Sequence, residues 1–320
     1  MNKNRSTLRK SELQFFFLEN AVIIVLTAFV VFMVFYRPSF RSWANLTTII
    51  NDCCMYGITA LAMTAVIICG EIDLSVSSIY AWSTCLFFIL CNSMNIFAAA
   101  VITLLVGAVW GLFNGMLVAF LRMPAFVATL GTMYTAKGLA YYITEEKPIN
   151  TGNPMLATIG KINIANISLV PIVFLIVLAV LYCIMRYTKV GRNVYATGGN
   201  YEVARLSGIN VKLSKIIVFV FTGICSALSG IMYCTRVYSG AATYGSDLTT
   251  WCVAAAVIGG TSMSGGYGGV HRTIIGILLM AILFNALTLL GVDGSMQRFI
   301  RGLVLVVVIM FDAISKAKKR

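Results

Sequence analysis

RYTKVGRNVYATGGNYEVARLSGINVKLSK, residues Arg186 to Lys215, is the longest basic interval between two apolar runs in this chain. Six of its residues are Lys or Arg: Arg186, Lys189, Arg192, Arg205, Lys212 and Lys215. Inside it, Tyr201–Leu206 reads as a short helix. Asn200 supplies an N-cap acceptor, Glu202 suits the positive end of the helix dipole, and Gly208 is a C-terminal stop. The interval therefore predicts a short amphipathic helix in water, hung between two membrane spans. The competing reading is a plain loop held on one side of a membrane by its charge.

The surrounding composition sets the class. Of 320 residues, 59% are hydrophobic and 11% charged, with a mean hydropathy of +0.90. Soluble domains carry about 25% charged residues, so the sequence predicts an all-α integral membrane protein with almost no soluble mass. The formal net charge of +13 does not point to nucleic acid. The basic residues flank apolar runs, and there is neither zinc-finger spacing nor an aromatic-basic platform. The nine cysteines include no C-x-x-C pair and read as small buried hydrophobes with no metal or disulfide role. A single histidine, His271, cannot build a His-based metal site.

Apolar residues from Phe15 to Tyr36 are too long a run for a signal-peptide core and lack a small-x-small cleavage site, so they read as a retained first helix. Further spans follow near 46–69, 75–92, 96–121, 125–143, 169–186, 216–234, 250–264, 271–290 and 299–314, about ten in all. The spans near 75–92 and 250–264 adjoin the interruptions Gly70-Glu71-Ile72-Asp73 and GGTSMSGGYGG (Gly259–Gly269), and read as partly broken helices sheltered by protein. With the N-terminus inside, sixteen Lys and Arg fall on the cytoplasmic side and six on the other, which places both termini in the cytoplasm. The domain reading is a cytoplasmic tail over 1–14, one transmembrane domain over 15–314 with its cytoplasmic loop at 187–215, and a basic tail over 315–320. Spans 2–5 and 7–10 are offset by five, so if they are repeats they are inverted. Interruptions at corresponding places of inverted repeats point to a translocation pathway. The polar segment Thr144–Ser168 is either a connector or an outer docking surface.

Polar residues inside the apolar mass are the candidate pathway residues: Asp73, Ser75, Asn114, Thr129, Thr132 and Asn285. Asp73 reads as an N-cap for a helix starting at Leu74, with Ser75 assisting, or as a functional carboxylate near a boundary. Asn114 is an interhelical lock or a pathway residue. Gly107, Gly111 and Gly115 around it are helix-packing positions. Thr129 and Thr132 lie one turn apart and either contact solute or bond back to their own helix. No phosphate-binding G-x-x-x-x-G-K-[ST] occurs, and no nucleophile-base pair, so no catalytic residue is assigned.

Several of these stretches resemble one family. Glu202-Val-Ala204-Arg-Leu-Ser-Gly208 fits E-x-A-x-x-x-G and resembles the coupling helix of importer permeases of the ATP-binding-cassette class. GRNVYATGGNYEVARLSGINV around it is similar to the form in ribose- and galactose-type sugar permeases. Gly70–Trp82 resembles their G-x-I-D-L-S-V-G-S segment, with Ser77 in place of the usual Gly. Gly107–Phe120 resembles G-x-x-N-G-x-L-V, and Met123–Thr144 resembles P-x-F-x-x-T-L-G. Where the family often has Asn-Asn-Gly, this chain has Asn285-Ala286-Leu287. The resemblance runs from about residue 45 to 312. It implies a monosaccharide permease subunit in a prokaryotic cytoplasmic (inner) membrane that binds no cofactor itself. Its implied partners are a second permease subunit (identical or a close paralogue), a cytosolic ATPase carrying ATP and Mg, and an extracytoplasmic solute-binding protein. Glu202, Ala204, Arg205 and Gly208 are implied to couple to the ATPase. A permease for branched-chain amino acids or nucleosides, a self-contained secondary transporter and a membrane scaffold or receptor remain as rivals.

Overall fold

The computed structural model describes residues 21–150, 163–164 and 167–317. The expected tail at 1–14, the end of the tail at 315–320 and much of Thr144–Ser168 lie outside them. In chain order the elements are α1 (Ala21–Tyr36), a 3-10 turn (Pro38–Arg41), α2 (Trp43–Ile68), α3 (Val76–Cys91), α4 (Ile96–Ala119) and α5 (Ala125–Thr144). Then come β1 (Asn163–Ile164) and β2 (Ile167–Ser168), a two-residue antiparallel pair, and α6 (Leu169–Tyr187), α7 (Lys189–Gly199) and α8 (Tyr201–Leu206). The chain ends with α9 (Val211–Val237), α10 (Leu248–Ile258), α11 (Val270–Leu289) and α12 (Gly294–Ala317). Every expected span has its helix within the described residues, the first from Ala21 on because 15–20 lie outside them, and α7 and α8 lie in the basic interval.

Local chemistry accounts for many helix ends. Ser42 Oγ accepts from Asn45 N at 3.2 Å to start α2, and Asn95 Oδ1 accepts from Phe97 N at 2.8 Å to start α4. Gly70, at φ +84°, turns the chain away after α2. Among the described residues five helices, α2, α4, α6, α9 and α11, are long and apolar enough to cross a membrane. In α2 and α9 the apolar window is 78% and 61% buried within the chain, against 28% in α4 and 22% in α6. The first two are therefore the core, and the latter two turn most of their apolar surface outward.

α3 and α10, beside the two interruptions, fall short of span length. Their 16 and 11 residues reach only about 24 and 16 Å at 1.5 Å per residue, short of a hydrocarbon core of about 30 Å. Both are almost wholly buried, so protein shelters the backbone where each helix stops. The expectation of broken helices holds at both places.

The packing repeats. α9 packs on α4 and α3 as α2 packs on α11 and α10, and α3 packs on both α4 and α5 as α10 packs on both α11 and α12. Exchanging α2–α5 with α9–α12 maps each of these pairs onto another, which supports the inverted-repeat reading. The α4–α9 crossing is close because glycines face it: a Cβ on Gly107 would lie 2.6 Å from the Gly223 carbonyl oxygen, and one on Gly115 2.8 Å from Ile216 Cα.

Eight of the nine cysteines are buried and none is joined in a disulfide. Cys183, exposed on α6, corrects the expectation that all of them are buried.

Candidate functional site

At one end of the bundle α8 projects from the surface. Asn200 Oδ1 accepts from Val203 N at 3.1 Å, as the sequence leads one to expect. The helix closes with two reversed bonds: Gly208 N donates to Arg205 O and Ile209 N to Ala204 O, both at 3.1 Å, with Gly208 at φ +80°. This is the left-handed glycine stop. Glu202 pairs with Arg205 at 3.1 Å across one turn. Ala204 faces inward, 2% exposed, whereas Leu206 is 80% and Val203 58% exposed. The outward face is therefore Val203 and Leu206 flanked by Glu202 and Arg205; Ala204 packs within the chain, which its place in the E-x-A motif does not reveal.

Two routes lead inward from α8. Lys215 at the start of α9 lies 5.5 Å from the Tyr201 ring centroid and forms an ion pair with Glu71, in the first interruption. The second route is a junction of backbones. Gly266 N, in the second interruption, donates to Ile68 O at the end of α2 at 2.8 Å. Gly198 of α7 lies against both atoms: a Cβ there would overlap the Ile68 carbonyl and lie 2.8 Å from Gly266 N. A Cβ on Gly265 would lie 2.6 Å from Gly198 O and 2.9 Å from Gly70 Cα. Tyr195 Oη also donates to Gly268 O at 3.0 Å, and burial raises this phenol above its ordinary range. Both interruptions thus meet each other and α7 with no side chain between them.

Asp73, Ser75, Asn114 and Thr129 come together just inside the first interruption, all fully buried. Asp73 Oδ1 accepts from Ser75 N at 2.9 Å and Ser75 Oγ at 2.6 Å. Asn114 Nδ2 of α4 donates to Ser75 Oγ at 2.7 Å, and Thr222 Oγ1 of α9 donates to Asp73 Oδ2 at 2.8 Å. Thr129 Oγ1 of α5 accepts from Leu74 N at 3.0 Å, and Thr249 Oγ1 donates to Leu74 O at 3.2 Å. One expectation is corrected. α3 starts at Val76, so Asp73 holds the turn ahead of the helix instead of capping one at Leu74, whose own N–H and C=O are taken by Thr129 and Thr249. Thr129 and Thr132 bond back to Ala125 O and Thr129 O at 2.8 and 3.1 Å, the second of the two readings for them. The cluster is tightly buried; Asn114 Oδ1 has no partner among the described residues. Sequence reasoning missed Thr222 and Thr249; their only signal was a hydroxyl in an apolar run.

Asn285 is not part of this cluster. At the opposite end it exchanges reciprocal hydrogen bonds with Asn45, at 2.9 and 3.0 Å. It borders a cavity of about 340 Å³ between α2, α10, α11 and α12. Tyr56, Trp251 and Phe284 line this cavity together with Asp52, Asp247 and Arg301. Arg301 pairs with Asp247 at 2.6 Å, and Asp52 with Arg236 at 2.8 Å. Among the described residues no group of three or more His, Cys, Asp or Glu is placed to hold a metal.

Spanning helices, two buried short helices in matching places and a buried polar cluster at one of the breaks define a multi-pass membrane permease bundle. The chain belongs to the family described as branched-chain amino acid transport system / permease component, which matches residues 45–309. It is 35% identical over 309 residues to the ribose import permease protein RbsC of Haemophilus influenzae, covering 95% of this chain and 96% of that protein. It is 34% identical to the probable ABC transporter permease protein YphD of Escherichia coli, covering 94% and 93%. To the galactose/methyl galactoside import permease protein MglC of Escherichia coli it is 28% identical, covering 98% and 100%. No solved structure matches the chain.

Proposed function

We propose that this chain is the permease subunit of an importer for a monosaccharide, driven by ATP hydrolysis on separate ATP-binding-cassette subunits. Full-length similarity to ribose and galactose permeases supports the solute class. The cavity beside Asn285 fits it too: at about 340 Å³ it is near the lower limit of ligand sites. Aromatic rings there suit the C–H face of a sugar ring, and ion-paired carboxylates suit its hydroxyls. In this reading the solute-binding protein delivers at that end, both termini lie in the cytoplasm of a prokaryote, and a second permease subunit completes the assembly. ATP and Mg are held by the partner ATPase.

The observation that carries the mechanism is α8, a short amphipathic helix that exposes Val203 and Leu206 and is joined to both interruptions through Lys215–Glu71 and the Gly198 junction. ATPase closure presses on Val203 and Leu206. Their displacement moves α7 against Ile68 and Gly266 and so shifts both short helices at once. The Asp73 cluster lies under the first break, and Asp73, Ser75, Asn114 and Thr129 part or close there as access alternates. Solute biases that equilibrium only by binding its two states unequally.

The test is uptake into proteoliposomes holding this chain, its ATPase and its binding protein. Labelled ribose and galactose are run against leucine, which the family description makes the competing solute. ATP-dependent entry of one sugar is expected. Uptake of leucine alone would replace the sugar, and gradient-driven uptake without the ATPase would replace the whole reading by a secondary transporter.

A further inference from the structure

A second cavity, of about 400 Å³, lies at the α8 end of the bundle among the end of α6, α7 and the start of α11. Arg186, Arg192 and Arg272 line it together with His271, Tyr195 and Tyr267, and no carboxylate does. Every acid-base pair among the described residues lies elsewhere; none of these three arginines has one. Arg272 instead donates to Tyr267 Oη at 3.0 Å, and Arg192 reaches only the Tyr187 carbonyl, at 3.5 Å. Three guanidinium groups around one hollow repel each other unless an anion enters, and a guanidinium fork matches phosphate oxygens.

The surroundings select the kind of anion. α6 and α11 are two of the membrane-length helices, and the cavity sits at their ends, at the level where an apolar span gives way to a basic interval. The helices pack on each other. Away from the cavity they expose Val180 and Ile176 on α6 and Leu278 and Ile275 on α11. A charged hollow at a membrane boundary, continued by apolar side chains along two spans, fits a molecule with a phosphate head and acyl tails. Basic pockets between spans are known to take such headgroups.

We infer that this cavity is a binding site for an anionic phospholipid, its phosphate among Arg186, Arg192 and Arg272 and its chains along α6 and α11. The inference is independent of which solute the chain carries. Because Arg192 belongs to α7 and Arg272 follows the Gly259–Gly269 interruption, the lipid braces α7 against that interruption at the junction described above.

The experiment uses the full chain purified in a neutral detergent. Dioleoylphosphatidylglycerol, dioleoylphosphatidylcholine and soluble glycerol phosphate are added separately, and retained lipid is counted by native mass spectrometry alongside the melting temperature. The expected result is at least fivefold more phosphatidylglycerol than phosphatidylcholine retained, with a higher melting temperature for the former only. The double variant Arg186→Gln/Arg192→Gln changes two exposed residues, so it folds, and it loses this preference. Lys212→Gln, which removes a cation at the same end but outside the cavity, keeps it. Four results would each overturn the inference: equal retention of both lipids, an unchanged preference in the double variant, loss of the preference in Lys212→Gln, or the same stabilisation by glycerol phosphate, which marks a free-anion site. A double variant that keeps its lipid preference but no longer holds the ATPase would make the cavity a protein interface instead.

Discussion

Substituting Gly198 by Ala, with Gly199→Ala beside it as control, puts the junction between α7 and the two interruptions under the sharpest strain. At Gly198 the new methyl would overlap the Ile68 carbonyl oxygen and lie 2.8 Å from Gly266 N. Those two atoms are hydrogen-bonded to each other at 2.8 Å, and being backbone they cannot swing aside as a side chain would. Overpacking of this kind costs about 1–3 kcal/mol, and losing the Gly266–Ile68 bond adds about 1 kcal/mol. The total is about 2–4 kcal/mol, roughly a 30- to 700-fold shift at 1.4 kcal/mol per decade. At Gly199 a Cβ meets nothing within 4 Å, so the change stays within about 0.5 kcal/mol. Melting of the purified variants, followed by intrinsic fluorescence, reads the difference, and uptake in proteoliposomes reads its consequence. Gly198→Ala should melt clearly lower and transport poorly, while Gly199→Ala tracks the native chain. Equal melting of the two variants would refute the junction.

The remaining predictions concern the buried cluster and the topology. Thr222→Val removes the hydroxyl that Asp73 Oδ2 accepts from at 2.8 Å, so stability should fall by about 1–3 kcal/mol; native stability would mean the carboxylate does not depend on it. Asn114→Leu removes the amide that ties α4 to Ser75 and should reduce uptake at least tenfold while membrane insertion stays normal; undiminished uptake would exclude Asn114 from the pathway. With native cysteines replaced, Ser207→Cys should react with impermeant maleimide only from the cytoplasmic side and Ser239→Cys only from outside; the reverse pattern would invert the charge-based orientation.

What could be read from the sequence divides by distance along the chain. α8 was legible to the residue because its determinants, Asn200 and Gly208, act within one turn of the helix they bound. The positions of the spans were legible because apolar length is a local property, and the two short helices were marked by the interruptions beside them. Gly107, Gly111 and Gly115 announced a close crossing but not that α9 would make it. Partners across long separations left no such trace. Asp73 and Thr222 are 149 positions apart, and nothing around Thr222 distinguishes it from any other threonine in an apolar helix. Asn285 and Asn114 are both lone amides in apolar helices, and nothing local shows that Asn285 pairs with Asn45 at the other end of the bundle. The Gly198 contact depends on three backbones meeting, which no single stretch encodes. The inward turn of Ala204 follows from how α8 lies on α7 and α9, a tertiary fact that a linear motif cannot carry.

Coupling through α8 is tested most directly by Gly208→Val. Gly208 holds φ +80° with no atom within 4 Å of an added Cβ, so the substitution acts through backbone strain, about 1–2 kcal/mol for a side chain forced left-handed and more for a branched one. The C-terminal stop of α8 is disturbed while the opposite end of the bundle is untouched. In proteoliposomes with ATPase and binding protein, the variant should insert normally and bind loaded binding protein. Its ATP hydrolysis should no longer be stimulated by that protein, and uptake should fall with it. Stimulated hydrolysis and uptake both at native levels would contradict α8 as the coupling element.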